Sequence, residues 1–284
     1  MQIILDAFLD TLTDTAKMLP FLFGVYLLIE FLEHKASDKL SGALRRLGPF
    51  GPLGGAAMGC LPQCGFSVAA SNLYAGRLIS VGTLLAVFIA TSDEAVPILL
   101  ASSQGAGKIL PLIAAKVIAA VAAGLSVDLI VRIANGKRSV QNEPYHDLCE
   151  DCGCDEHGIL YSALKHTAQI TAFVFTVSLV LSIAMGFAGE EALHRILMTD
   201  SPLQPFITAL IGLIPNCAAS VVLTNLYAAG SLSFGAVISG LSTGAGLGLV
   251  VLFRTNKNLR ENMSIAAMLY FIGVIAGLVA DIIV

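Results

Sequence analysis

GCLPQCGFSVAASNLYA, Gly59 to Ala75, returns 153 residues later as GLIPNCAASVVLTNLYA, Gly212 to Ala228. Nine of the 17 paired positions are identical, and Leu61/Ile214, Gln63/Asn216, Gly65/Ala218 and Ser71/Thr224 are close exchanges. At ordinary residue frequencies chance gives roughly one or two identities. The chain is therefore two copies of one unit. Its flanks agree: Asp10–Phe31 matches Ala163–Ala184 in profile, and apolar runs at 78–101 and 231–253 follow the motif in each half.

Composition sets the solvent. Of 284 residues, 56% are hydrophobic and only 13% charged, with a mean hydropathy of +0.82. A soluble domain carries about 25% charged residues. This chain cannot cover a water-facing surface and is expected to be an all-α integral membrane protein with several spans. The net charge of -4 decides little, because orientation follows where Lys and Arg lie. Residues 1–17 carry Asp6, Asp10 and Asp14 and no basic leader, so no cleavable signal is expected there.

Apolar stretches lie near 18–33, 49–75, 78–101, 109–133, 167–188, 204–229, 231–253 and 263–284. If all eight crossed fully, the basic loop 34–48 and the basic central loop would face opposite sides, against the positive-inside tendency. Suppose instead that 49–75 and 204–229 are re-entrant hairpins. One side then collects Lys35, Lys39, Arg45, Arg46, Arg77, Arg132, Lys137, Arg138, Lys165, Arg254, Lys257 and Arg260, and the other holds mainly Lys17, Lys108 and Arg195 among acids. The charge rule selects the second arrangement. It predicts six full spans plus two hairpins of two half-helices, about ten helices, in an inverted-repeat secondary-transporter architecture. Three regions follow: a first transmembrane repeat over 1–133, a cytoplasmic His/Cys-rich loop over 134–160, and a second repeat over 161–284. Both termini are expected outside a bacterial inner membrane.

A helix broken inside lipid is tolerated only where its freed backbone groups line a cavity or meet protein. The candidate substrate-binding residues lie at and after the two Pro turns: Gln63, Cys64, Ser67 and Asn72, with Asn216, Cys217, Ser220 and Asn225 in the second copy. Pro starts a helix well, and the residues after it offer free N–H groups at the positive helix end. Ser, Thr and Asn can equally serve to join helices by hydrogen bonds, the plainer reading for Ser71, Asn72, Thr224 and Asn225. Thiolates select soft or thiophilic species. Cys60 lacks a counterpart, since Leu213 stands there, and ranks below the pair.

Asp93 and Glu94 place two carboxylates in the run 78–101, where burying a charge costs at least about 2.5–3.5 kcal/mol per residue. They read either as a proton- or cation-coupling site or as partners of a nearby base such as Lys116. The second copy has Ser242-Thr243-Gly244-Ala245-Gly246 there, with no acid. Asp128 and Arg132, at i and i+4, can pair. In the central loop His146, Cys149, Cys152, Cys154 and His157, among five acids, form a soft-metal ligand set that could hold a metal transiently; otherwise the loop is a polar connector. No Walker-type phosphate loop, HExxH or catalytic serine motif occurs, so an enzyme is not expected. No cofactor is required.

The paired LPQCGFS and IPNCAAS motifs, the SDEA stretch at 92–95 and the His/Cys-rich loop resemble the bacterial family of ten-helix heavy-metal exporters, whose members are labelled arsenic efflux proteins or manganese transporters. The resemblance spans nearly the whole chain and implies export of a metal or metalloid without ATP. Together with the residues it predicts a permease for an arsenite-like species or soft divalent metal, driven by the proton gradient. Alternatives are a manganese or other divalent cation transporter, a membrane metal sensor, and an organic anion permease. The expected partners are the lipid bilayer, the transported ion and protons, with self-association open and nucleic acid excluded.

Overall fold

The structure, a computed structural model, describes residues 50–60, 65–91, 95–101, 106–134, 159–188 and 203–283, with scattered positions between 8 and 27. The described residues are helices and short connections, without a strand. In chain order these are α1 (Gly51–Gly59), α2 (Gly65–Ala75), α3 (Val81–Ala90), α4 (Ala95–Ala101), α5 (Ala106–Ala134) and α6 (Ile159–Ala188). They are followed by α7 (Gln204–Gly212), α8 (Cys217–Ala228), α9 (Phe234–Thr243), α10 (Leu247–Thr255) and α11 (Leu259–Ile283). The sequence repeat becomes a structural one: α1 to α5 return as α7 to α11.

Where the sequence predicts hairpins, there are pairs of short helices. At 1.5 Å per residue, α1 and α2 run about 14 and 17 Å, each near half of a roughly 30 Å hydrocarbon core. By length and composition, Val81–Leu100, Gly107–Ala134, Phe234–Thr255 and Leu259–Ile283 are long and apolar enough to cross. Two of these are not the uninterrupted crossings that the apolar runs suggest. The α helix breaks after Thr91, before α4, and again at Gly244 to Gly246, before α10. No proline sits at either break. Gly246 takes φ 54 at the start of α10, a conformation that side chains rarely adopt.

The two copies are capped by one device. Ser80 precedes α3 and accepts from Thr83 N at 3.1 Å, while its hydroxyl donates to Asp128 Oδ2 at 2.6 Å and Gly82 N donates to Asp128 Oδ1 at 2.8 Å. Adding 153 gives the second copy: Ser233 accepts from Ala236 N at 3.0 Å and donates to Asp281 at 3.1 Å, and Gly235 N donates to Asp281 at 2.6 Å. Each aspartate thus satisfies orphan donors and sits at the positive end of a helix. The expected pairing of Asp128 with Arg132 is secondary, because both carboxylate oxygens are taken by the cap.

Small residues set the spacing. A Cβ on Gly124 would lie 2.7 Å from Gly82 O, and one on Gly277 would lie 2.5 Å from Gly235 O. Without a hydrophobic drive between helices in lipid, such close backbone approach is how they associate. The interrupted helices α3–α4 and α9–α10 are mostly buried, whereas α5 and α11 present Ile118, Ile130, Phe271 and Ile275 outward. The former make the centre of the described fold and the latter its outer faces. Helices of the two copies interlock: α1 packs on α3 of its own copy, but α2 packs on α10 of the other, and α8 on α4. One core joins Leu84, Phe88 and Ile89 to Leu252, Ile265 and Leu269.

Candidate functional site

The two breaks, α2 and α5 meet in a buried polar cluster. A helix end leaves its last carbonyls without intrahelical donors, so each break must find partners. Thr91 caps the end of α3, and its Oγ1 lies 3.2 Å from Ser67 Oγ on α2. Ser67 is buried directly beneath α10, where a Cβ on Gly248 would lie 2.7 Å from its own. One turn on, Ser71 Oγ donates to Gly248 O at 2.7 Å and approaches Ser67 O at 2.9 Å. In this way α2 links the break of its own copy to the break of the other.

Lys116, in the middle of α5, completes the cluster. It is fully buried, and its ammonium donates to Thr91 O and, at 2.9 Å, to Leu241 O in the last turn of α9. An isolated ammonium in such a place is costly, and these carbonyls at two helix C-terminal ends offset the cost. Cys60, half-buried, stands at the end of α1. Ser242, next to Leu241, is fully buried, and its Oγ has no hydrogen-bond partner among the described residues.

The predicted site residues divide. Ser67 and Asn72 are buried in α2, and Asn72 Nδ2 donates to Val68 O at 3.1 Å within its helix. Asn216 is buried at the turn before α8, where its N–H donates to Ile214 O at 2.7 Å. Ser220 is half-buried, and its carbonyl accepts from Thr224 Oγ1 at 2.7 Å. Asn225 is exposed, so the matched asparagines do not occupy matched surroundings. Gln63, Cys64, Asp93 and Glu94 lie outside the described residues, as does the side chain of Cys217, whose backbone begins α8. The loop residues His146, Cys149, Cys152, Cys154 and His157 also lie outside them.

Sequence reasoning missed Thr91, Gly248 and Ser242, and gave Lys116 only as a partner for an acid. The Gly-x-Gly at 244–246 was the available signal for the second break. A family model described as "Putative, 10TM heavy-metal exporter" matches residues 1–167 and 156–284, which together take in the whole chain. No curated protein and no solved structure matches it.

Proposed function

Because the chain belongs to this family of ten-helix heavy-metal exporters, and is thereby a multi-pass membrane protein, we propose that it carries a thiophilic species through a site between its two interrupted helices. The cargo is arsenite-like or a soft divalent metal, and the proton gradient drives export. The observation that carries this reading is the convergence of α2, α5 and both breaks on Ser67, Thr91, Ser71, Gly248 and Lys116. Interrupted helices that meet near mid-membrane are how secondary transporters make room for a small solute. Hydroxyls and helix ends bind it there with polar groups that lipid cannot supply.

Thiols give the selectivity. Cys64 immediately precedes α2 and Cys217 begins α8, so each copy brings one sulfur to the start of a hairpin helix. Trivalent arsenic and soft metals bond to two or three sulfurs, which hard cations do not favour. Gln63, Asn216, Ser67 and Ser220 supply polar contacts around them. Asp93 and Glu94 follow Thr91 within the first break and carry the coupling charge. The two copies lie inverted across a bacterial inner membrane, with the central loop in the cytoplasm, where its cysteines and histidines capture metal.

Growth of cells on arsenite tests the thiol role. The double substitution Cys64→Ser, Cys217→Ser should abolish resistance while the protein still reaches the membrane. Unchanged resistance would sink it. Labelling of Cys149 by an impermeant thiol reagent in intact cells would overturn the orientation.

A further inference from the structure

Two ties join the copies to each other. In the first, Tyr74 and Arg77 at the end of α2 hold Glu261 at the start of α11. In the second, Lys108 at the start of α5 lies over the Tyr227 ring at the end of α8 and donates to its carbonyl. Each links a short helix of one copy to a long helix of the other. The capping aspartates show where the ties stand. Ser80, three residues after Arg77, meets Asp128, which lies twenty residues along α5 from Lys108. Ser233, six residues after Tyr227, meets Asp281, twenty residues along α11 from Glu261. Twenty residues of helix span about 30 Å, the depth of a hydrocarbon core. The ties therefore stand at opposite ends of α5 and α11, one toward each face.

The buried cluster lies between them. On α2, Ser67, Ser71 and Tyr74 follow one another by about a turn, so one helix runs from Thr91 to the first tie. Ser71 seats that helix on α10 through Gly248 O, and past α10 Asn256 Nδ2 donates to Asn262 Oδ1 at 2.7 Å beside Glu261. Parting α2 from α10 would open the cluster toward this end, and the first tie opposes it. At the other end α8 packs on α4, which follows the break at Thr91, and the second tie closes that seam.

Resting on the transport reading above, we propose that these ties are two gates of unequal strength, one for each membrane face, that open in turn onto the cluster. A bidentate guanidinium–carboxylate pair joined by a phenol is a strong contact. An ammonium over an aromatic ring near a surface is a weaker one. The Lys108 gate therefore opens more often than the Glu261 gate. Opening both at once breaks both ties together and is rarer than either alone. One closed state with two alternative openings shows the cluster to one side at a time, and such an equilibrium can be biased from either side.

Sided labelling tests the gates without any cargo. The full chain carrying Ser67→Cys is prepared in right-side-out and in inside-out membrane vesicles. An impermeant thiol reagent is added outside, and label at position 67 is read by mass spectrometry. With both ties intact, labelling should be faster from the Lys108 face. Adding Glu261→Gln should speed labelling from the Glu261 face alone, by about tenfold or more, as loss of a hydrogen-bonded charge pair implies. Adding Lys108→Met should speed it from the Lys108 face alone, by about twofold to fivefold. Tyr74→Phe, a milder loss at the first tie, should act on the same face as Glu261→Gln and serves if that variant does not fold. Labelling that rises from both faces in one variant, the mark of a merely structural tie, would overturn the proposal. So would a rise on the wrong face, or none. Arsenite flux in the same vesicles separates the two readings: if labels divide by face but no arsenite moves, the choice of cargo has failed and the gates stand.

Discussion

The two copies agree in their frame and differ in what they hold. Ser80, Gly82 and Asp128 repeat as Ser233, Gly235 and Asp281, with the same hydrogen bonds at each. Where α2 and α8 end, the copies part. Tyr74 and Arg77 meet Glu261 at the start of α11, with Arg77 Nη1 and Nη2 at 2.6 and 3.0 Å from its two oxygens. At the matched positions Tyr227 meets Lys108 near the start of α5, through the ring at 4.8 Å and the carbonyl at 3.2 Å. Even the turn differs: Arg77 accepts φ 58 where the second copy has Gly230 at φ 79. A non-glycine residue there costs about 1–2 kcal/mol, which the bidentate pair offsets. Symmetry builds the scaffold and its capping aspartates, and residues that do not repeat supply the charges of the two ties.

The largest expected effect breaks that comparison at the two ties. Glu261→Ala leaves Arg77 without its bidentate partner and should cost about 2–3 kcal/mol, because hydrogen bonds to charged groups are the strong ones. Lys108→Met should cost only about 0.5–1 kcal/mol, the size of a cation–π contact near a surface. Detergent melting curves of the two variants compare them directly, and equal losses would mean the ties are equivalent. Next come the helix contacts. Gly82→Ala and Gly235→Ala should each cost about 1–3 kcal/mol by overpacking, and the two losses should match, since each new Cβ meets a backbone carbonyl of the facing helix.

Smaller still are the caps. Ser80→Ala and Ser233→Ala should each lose about 1 kcal/mol, again in equal measure. Unequal losses would show that the cap is shared in sequence but not in strength. The smallest difference concerns one hydroxyl. Ser71 reaches across to Gly248 O, whereas among the described residues Thr224 Oγ1 bonds Ser220 O in its own helix. Ser71→Ala should cost about 0.6 kcal/mol, the average for an interhelical hydrogen bond in a membrane. Thr224→Val should cost less.

Much of this was legible in the chain. Pro62 and Pro215 marked the turns between short helices, and the apolar runs located α5 and α11 to within a few residues. The breaks at Thr91 and Gly244 were not read, because the residues on either side are apolar enough to pass as one crossing. Lys116 was seen as a base in need of an acid. Thr91 O and Leu241 O, which accept from it, are main-chain carbonyls, a group every residue carries, so no sequence pattern can announce them.

By itself the sequence determined the solvent, the duplication and the places where helices could not be long, since hydropathy, identity at a fixed offset and proline are local properties. Only the tertiary structure decided that α2 crosses to α10, that Asn72 is enclosed while Asn225 is not, and that one lysine joins both breaks. Those depend on which backbone carbonyls are left without donors and which helix lies near enough to serve them. A folded arrangement alone answers that.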